Sequence, residues 1–205
     1  VRMDASLLSA IFRGKIKSWN DARIAAVNPM LNLPAKPIVV IHRADSSGTS
    51  GIFTTYLAAA DQSWKDTVGS GLFVAWPAGV GAKGNAGMAA MIRQTSGAIG
   101  YLEYSYAVLS NLNCVALRNR SGAFVKPSVA AIQAAVPTDL ALDLQGTLLD
   151  RPGVATYPIV SFTWLVLYRE QSYDNRPRER ASAINELIKW MLGDGQAFVE
   201  TLHYS

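Results

Sequence analysis

The densest chemistry in this sequence lies in seven consecutive positions, Arg43-Ala-Asp-Ser-Ser-Gly-Thr49. The β-branched run 38–41 precedes them, and a segment with helical apolar spacing follows. A strand that turns into a helix there would aim the helix's first backbone N–H groups, and its partial positive charge, at one spot in front of the loop. Such a spot attracts oxyanions. Gly48 would let the backbone come close to a ligand, Ser47 and Thr49 would offer hydroxyl donors, and Arg43 would add a planar fork of charged donors. Asp45, two residues past Arg43, is placed to orient that fork. The same residues also fit ordinary helix capping, with Ser46 or Ser47 closing the helix start and Arg43 paired to a carboxylate. Residue types alone leave the two readings open.

Three other constellations compete. Gly79-Val-Gly-Ala-Lys-Gly84 is a literal G-x-G-x-x-G, with Glu103 about 20 residues on, the pattern of a dinucleotide-binding turn. On that reading Gly79, Gly81, Gly84 and Glu103 would serve an NAD-type dehydrogenase. Pro77-Ala78 separates the upstream strand-like run from the first glycine, and a helix starting at Asn85 would begin past the third. Both features weigh against the match. His42, Asp45 and Ser47 hold the residue types of a hydrolytic triad, but triad members come from segments that converge in space, not from one six-residue loop. With two histidines and one cysteine, a conventional zinc site is not expected.

The elements that must position the anion loop alternate between helix and strand signals, which gives an α/β class. Helices are expected at Ala5–Phe12, ended by Gly14, and over 20–27. A buried strand is expected over 38–41, followed by a helix carrying Ile52, Phe53, Tyr56, Leu57 and Ala60 on one face. Further on come strands over 72–76 and 98–102, helices over 85–94 and 104–109, and a strand-like stretch around Cys114 whose thiol reads as buried and structural. A helix over 127–135 would use Pro127 as its first residue. The stretch 137–158 carries no clear pattern. A strand over 162–168 and a helix over 180–192, with Ala181, Ile184, Leu187, Ile188, Met191 and Leu192 on its apolar face, close the chain. The five tryptophans are scattered and read as packing residues.

Composition bounds the function. Half of the 205 residues are hydrophobic and only 17% are charged, a folded rather than disordered balance. A net charge of +4 suits an anionic ligand without demanding one. Arg176, Arg178 and Arg180 lack interleaved aromatics and read as a solvated helix start, so no nucleic-acid partner is expected. Asn119-Arg-Ser121 matches a glycosylation sequon.

The loop Arg43-Ala-Asp-Ser-Ser-Gly-Thr-Ser50 resembles the phosphate loop of the periplasmic phosphate-binding proteins of ABC importers. The likeness continues upstream in Ile11-Phe-Arg-Gly-Lys-Ile-Lys-Ser-Trp19 and Asn28-Pro29. Downstream it continues in Trp64-Lys65, Val74-Ala-Trp-Pro77, Gly79-Val-Gly-Ala-Lys-Gly-Asn85, Gly97-Ala-Ile-Gly-Tyr-Leu-Glu-Tyr-Ser-Tyr106 and Tyr157-Pro-Ile159. These motifs are collinear with the family across most of the chain.

The resemblance implies a periplasmic-binding-protein-like α/β fold in which two lobes close on phosphate like a hinged clamp. Residues 1–154 would form the second lobe, nearly complete, and residues 155–205 the return into a partial first lobe. It implies phosphate contacts from Arg43, Ser47, Gly48 and Thr49, with Asp45 as the partner of Arg43. It also implies a monomer in the periplasm, or outside the cell on a lipid anchor, that hands phosphate to an ABC permease without cofactor or catalysis. Family members contribute a further serine- and threonine-containing loop and an aspartate from an earlier segment. These residues hold no counterpart of it, so the expectation is a piece of a longer polypeptide. A lobe kept for anion sensing rather than transport is the remaining alternative.

Overall fold

The computed structural model describes residues 1–138 and 146–204. These fall into two compact units, Val1–Ser161 and Phe162–Ser205. Part of the unpatterned stretch 137–158 therefore lies outside the described residues.

The first unit carries two small sheets. In one, β1 (Arg2–Met3) pairs in parallel with β5 (Ala116–Arg118), which pairs antiparallel with β6 (Phe124–Val125). In the other, β2 (Val39–Arg43) is central, flanked in parallel by β3 (Val80–Ala82) and β4 (Ala98–Ile99). Parallel neighbours need crossovers, and helices supply them: α3 (Gly48–Ala60) and α4 (Gln62–Thr67) lead from β2 toward β3, and α5 (Gly84–Gln94) leads from β3 to β4. α1 (Ala5–Phe12), α2 (Ala22–Ala26), α6 (Tyr104–Leu109) and α7 (Val129–Gln133) complete the unit.

α1 and α6 take the bounds expected of them, and Gly14 stops α1 with a φ of 68° that favours glycine. The helix expected over 20–27 is shorter, because Asp21 caps it by accepting the Arg23 N–H. The main core packs Leu8, Ile11 and Phe12 of α1 against Phe53, Tyr56 and Leu57 of α3, with Trp64 and Ile99. On α3 the buried face includes Thr54 and leaves Ala60 exposed.

Several expectations are corrected. Residues 72–76 are not a strand: the Leu72 carbonyl accepts the Ser47 N–H (2.9 Å) and the Gly71 N–H goes to Thr54 Oγ1 (3.1 Å), so this backbone serves loop contacts. The strand is instead the glycine-containing Val80–Ala82. α7 begins at Val129 with Ser128 as its cap, which leaves Pro127 before the helix rather than in it. Cys114 is only half-buried and precedes β5. The sequon amide of Asn119 is buried and donates to the Thr156 carbonyl (3.0 Å), so it is not open to a glycan.

In the second unit α8 (Arg178–Leu192) is followed by a 3₁₀ turn, Asp194–Phe198. The helix forms as its spacing predicts, but no residue on it is buried. The stretch 162–168 forms no strand, and Leu165, Val166 and Tyr168 are exposed. Strand propensity is satisfied only by a ladder partner, and among the described residues this segment takes part in no strand pairing.

β3 lies so close to β2 that Gly79 is required. Its φ is +107°, and a Cβ there would stand 2.5 Å from the Val40 carbonyl oxygen. Gly79→Ala should therefore cost about 2–3 kcal/mol of stability, read as a lower urea midpoint with an unchanged m-value. A midpoint equal to that of the unmodified chain would show that β3 does not approach β2 in this way.

Candidate functional site

Arg43 is the last residue of β2, so its side chain emerges at the carboxyl end of the central parallel strand, where open α/β sheets place their ligands. The residue is only 8% exposed. A buried guanidinium requires partners, and Asp45 provides two: Nε donates to Oδ1 (2.8 Å) and Nη2 to Oδ2 (2.6 Å). Nη1 donates to Asn85 Oδ1 (3.3 Å). Of five N–H bonds, one on each terminal nitrogen is left over from these contacts.

Asp45 also accepts the Gly84 N–H at the start of α5 (3.1 Å). That helix has no side-chain cap of its own at Lys83, so Asp45 closes it from across the loop. The Arg43 hydrogen bonds, followed by the Gly84 N–H, hold the Asp45 carboxyl well below the usual aspartate range. A carboxyl depressed in the fold contributes stability that is fully present above its unfolded pKa, near 4, and fades as pH falls through the folded value. Asp45→Asn should accordingly flatten the acid limb of the stability profile between about pH 5 and pH 2. Urea midpoints taken across that range check this, and an unaltered limb would contradict it.

Ser47 is the N-cap of α3, its Oγ accepting the Ser50 N–H (3.3 Å). Capping uses an oxygen lone pair, so the hydroxyl hydrogen stays available to donate. Gly48 and Thr49 follow in the first turn, where amides have no acceptor within the helix. Gly48 is exposed, and a Cβ placed on it would meet nothing within 4 Å. Thr49 is half-buried beside it. The structure thus brings Arg43, Asp45, Ser47, Gly48 and Thr49 into one constellation, and capping and donor display coexist in it rather than compete.

Reading the sequence missed three supports. The Tyr101 hydroxyl accepts the Arg43 N–H (3.1 Å) and shares a hydrogen bond with Ser50 Oγ (2.7 Å), tying the end of β2 to the start of α3. Its ring stacks on Phe53 (centroids 4.5 Å apart) and Trp76 (5.5 Å), and burial pushes its phenol upward, so it remains neutral. Ser50 is the second support, and Asn85, in the first turn of α5, is the third. A tyrosine two residues past β4 and an asparagine in the first turn of a helix carry no local mark of meeting Arg43. Only the pairing of β2 with β3 and β4 brings them there.

The competing chemistries fare differently. Gly81 lies inside β3 and Gly79 precedes it, so the glycines do not form the turn after a strand that a dinucleotide fingerprint needs. Glu103 accepts from Asn85 Nδ2 (3.1 Å). His42 stacks on Trp76 at 5.0 Å, with Nδ1 3.2 Å from the Arg43 carbonyl oxygen, and makes no hydrogen bond to Ser47. Among the described residues no group of His, Cys, Asp or Glu is placed to hold a metal ion. What the constellation can do is hold an oxyanion with oriented N–H and O–H donors.

A family model described as a PBP superfamily domain matches residues 1–195. The phosphate-binding protein PstS of Methanocaldococcus jannaschii is 39% identical over 212 aligned residues, which cover 96% of this chain and 54% of that protein. The phosphate-binding protein PstS of Xylella fastidiosa strain 9a5c is 39% identical over 207, covering 100% of this chain and 56% of its own length. The structure of a high affinity periplasmic phosphate-binding protein (PfluDING) bound with phosphate aligns with a TM-score of 0.53 over 78% of this chain and 50% of its own. At 22% identity that is a likeness of fold. The chain spans about half the length of the curated relatives it matches.

Proposed function

Because the chain belongs to the PBP superfamily, we propose that its anion loop binds inorganic phosphate as part of a solute-binding protein. One observation carries the reading: a buried, Asp45-held Arg43 stands beside an α3 first turn whose Gly48 faces open space. Relatives named for phosphate binding share the chain's residues at about two in five positions, which supports it.

Arg43 supplies fixed charge, Ser47 and Thr49 supply hydroxyl donors, and the backbone at Gly48 and Thr49 supplies N–H donors. Asp45 keeps the guanidinium in plane and offsets part of its charge. Affinity then comes from many short, oriented hydrogen bonds rather than from a bulk positive field. No bond of the ligand is made or broken, so the protein is a carrier rather than an enzyme and uses no cofactor. It would work as a monomer in the periplasm, free or lipid-anchored, and deliver phosphate to an ABC permease in the inner membrane. Residues 1–154 form the second lobe of its clamp, and residues 155–205 lead into the first.

Calorimetric titration of the chain with phosphate, with sulfate and NAD in parallel, tests this reading. Saturable heat with phosphate and none with NAD is expected. Heat with NAD and not with phosphate would overturn it in favour of a dinucleotide site.

A further inference from the structure

We propose that Asn85 is a positioning residue for Arg43, an amide spacer that fixes the guanidinium while keeping the Glu103 carboxylate off it. The proposal rests on the phosphate reading of the loop and assigns that loop a determinant outside it.

Asp45 grips Arg43 from one side only, through Nε and Nη2. The opposite terminal nitrogen, Nη1, meets Asn85 Oδ1 at 3.3 Å, and Asn85 Nδ2 donates to Glu103 Oε2 at 3.1 Å. The orientation of this amide is forced by its neighbours. A guanidinium offers only donors and a carboxylate only acceptors, so the oxygen must face Arg43 and the nitrogen Glu103. The first turn of α5 therefore holds both members of the ion pair: Gly84 donates to Asp45, and Asn85 accepts from Arg43.

Few residue types could do this. A leucine leaves both neighbours without Asn85's hydrogen bonds. An aspartate presents acceptors to Glu103 and adds a negative charge at Nη1. A glutamine places its amide one methylene further out. The spacer also has an electrostatic consequence. Arg43 already faces one carboxylate directly, and Asn85 stands between it and a second. The remaining N–H groups keep more of their charge for an anion than they would with Glu103 against them.

Two variants and two readouts test the proposal. The first readout is ¹⁵N NMR of the Arg43 side chain in the ligand-free chain. Separate Nη signals, broadened only on heating, are expected of the unmodified chain, and merged signals of Asn85→Leu. The second readout is phosphate affinity measured across the second ionisation of phosphate. Asn85→Leu should lose about tenfold, the value of one hydrogen bond to a charged group. Asn85→Asp should lose more, and its loss should grow as pH rises, because Arg43, Asp45 and Glu103 are joined by a further acid while the ligand itself gains charge. A loss from disrupted packing alone would be the same at every pH. Unmerged Nη signals in Asn85→Leu, or a pH-independent loss in Asn85→Asp, would overturn the proposal. If the unmodified chain takes up no phosphate, the phosphate reading falls, and the Nη signals still decide whether Asn85 fixes Arg43.

Discussion

Arg43→Met should lower the affinity for phosphate by about a hundredfold or more while the chain remains folded. The two N–H bonds that Arg43 does not spend on Asp45 and Asn85 would each go to a charged ligand, and such hydrogen bonds contribute about 1.5–3 kcal/mol apiece. Two of them amount to at least about two powers of ten in Kd. The loss is compounded by Asp45, which keeps the Gly84 N–H but is left without its cation and turns its charge on the incoming anion. Methionine fills the apolar part of the side chain's space, so the fold should persist and circular dichroism should confirm it. Arg43→Lys restores a charge but not the fork that meets Asp45 on two atoms, and should recover only part of the affinity. Calorimetry on the three chains checks the order, and equal affinity in Arg43→Met would mean that the anion is held elsewhere.

Gly48→Ala separates binding from folding more sharply. Gly48 lies outside the left-handed region, and a methyl group there would touch no protein atom within 4 Å. Alanine is also the better residue within a helix, by up to about 1 kcal/mol. Stability should therefore hold or rise slightly. The methyl group nevertheless enters the space through which an oxyanion would reach the Gly48 and Thr49 amides. Loss of one such contact corresponds to about tenfold to a hundredfold in Kd. Thermal melts and phosphate titrations on the same sample read both effects. A variant that melts early would contradict the open space at Gly48, and one that binds phosphate as tightly as the unmodified chain would contradict the site.

What the sequence made legible was local. β2 and α3 are readable because a β-branched run, a serine cap and an apolar helical stripe follow one another without interruption over 38–57. The same continuity exposed the five loop residues. β3 was not readable, because one β-branched residue followed by glycine and alanine is too short and weak a signal, and Val80–Ala82 is a strand by virtue of lying beside Ile41–Arg43. The stretch 162–168 shows the converse, with strand-forming residues that join no ladder among the described residues. Tyr101 and Asn85 stand 58 and 42 residues from Arg43, and their roles exist only after the sheet has formed. Even so, Tyr101 sat within a motif shared with the resembled family, and a tyrosine just past β4 could have been singled out.

The central claim is that phosphate sits on the first turn of α3 against Arg43, and amide NMR tests it most directly. On adding phosphate to ¹⁵N-labelled chain, the Gly48 and Thr49 amide protons should move strongly downfield and saturate together, with the Arg43 side-chain N–H signals following the same curve. NAD should not reproduce that pattern. Saturable phosphate binding with those signals unmoved, or with the largest shifts in another part of the chain, would contradict the account.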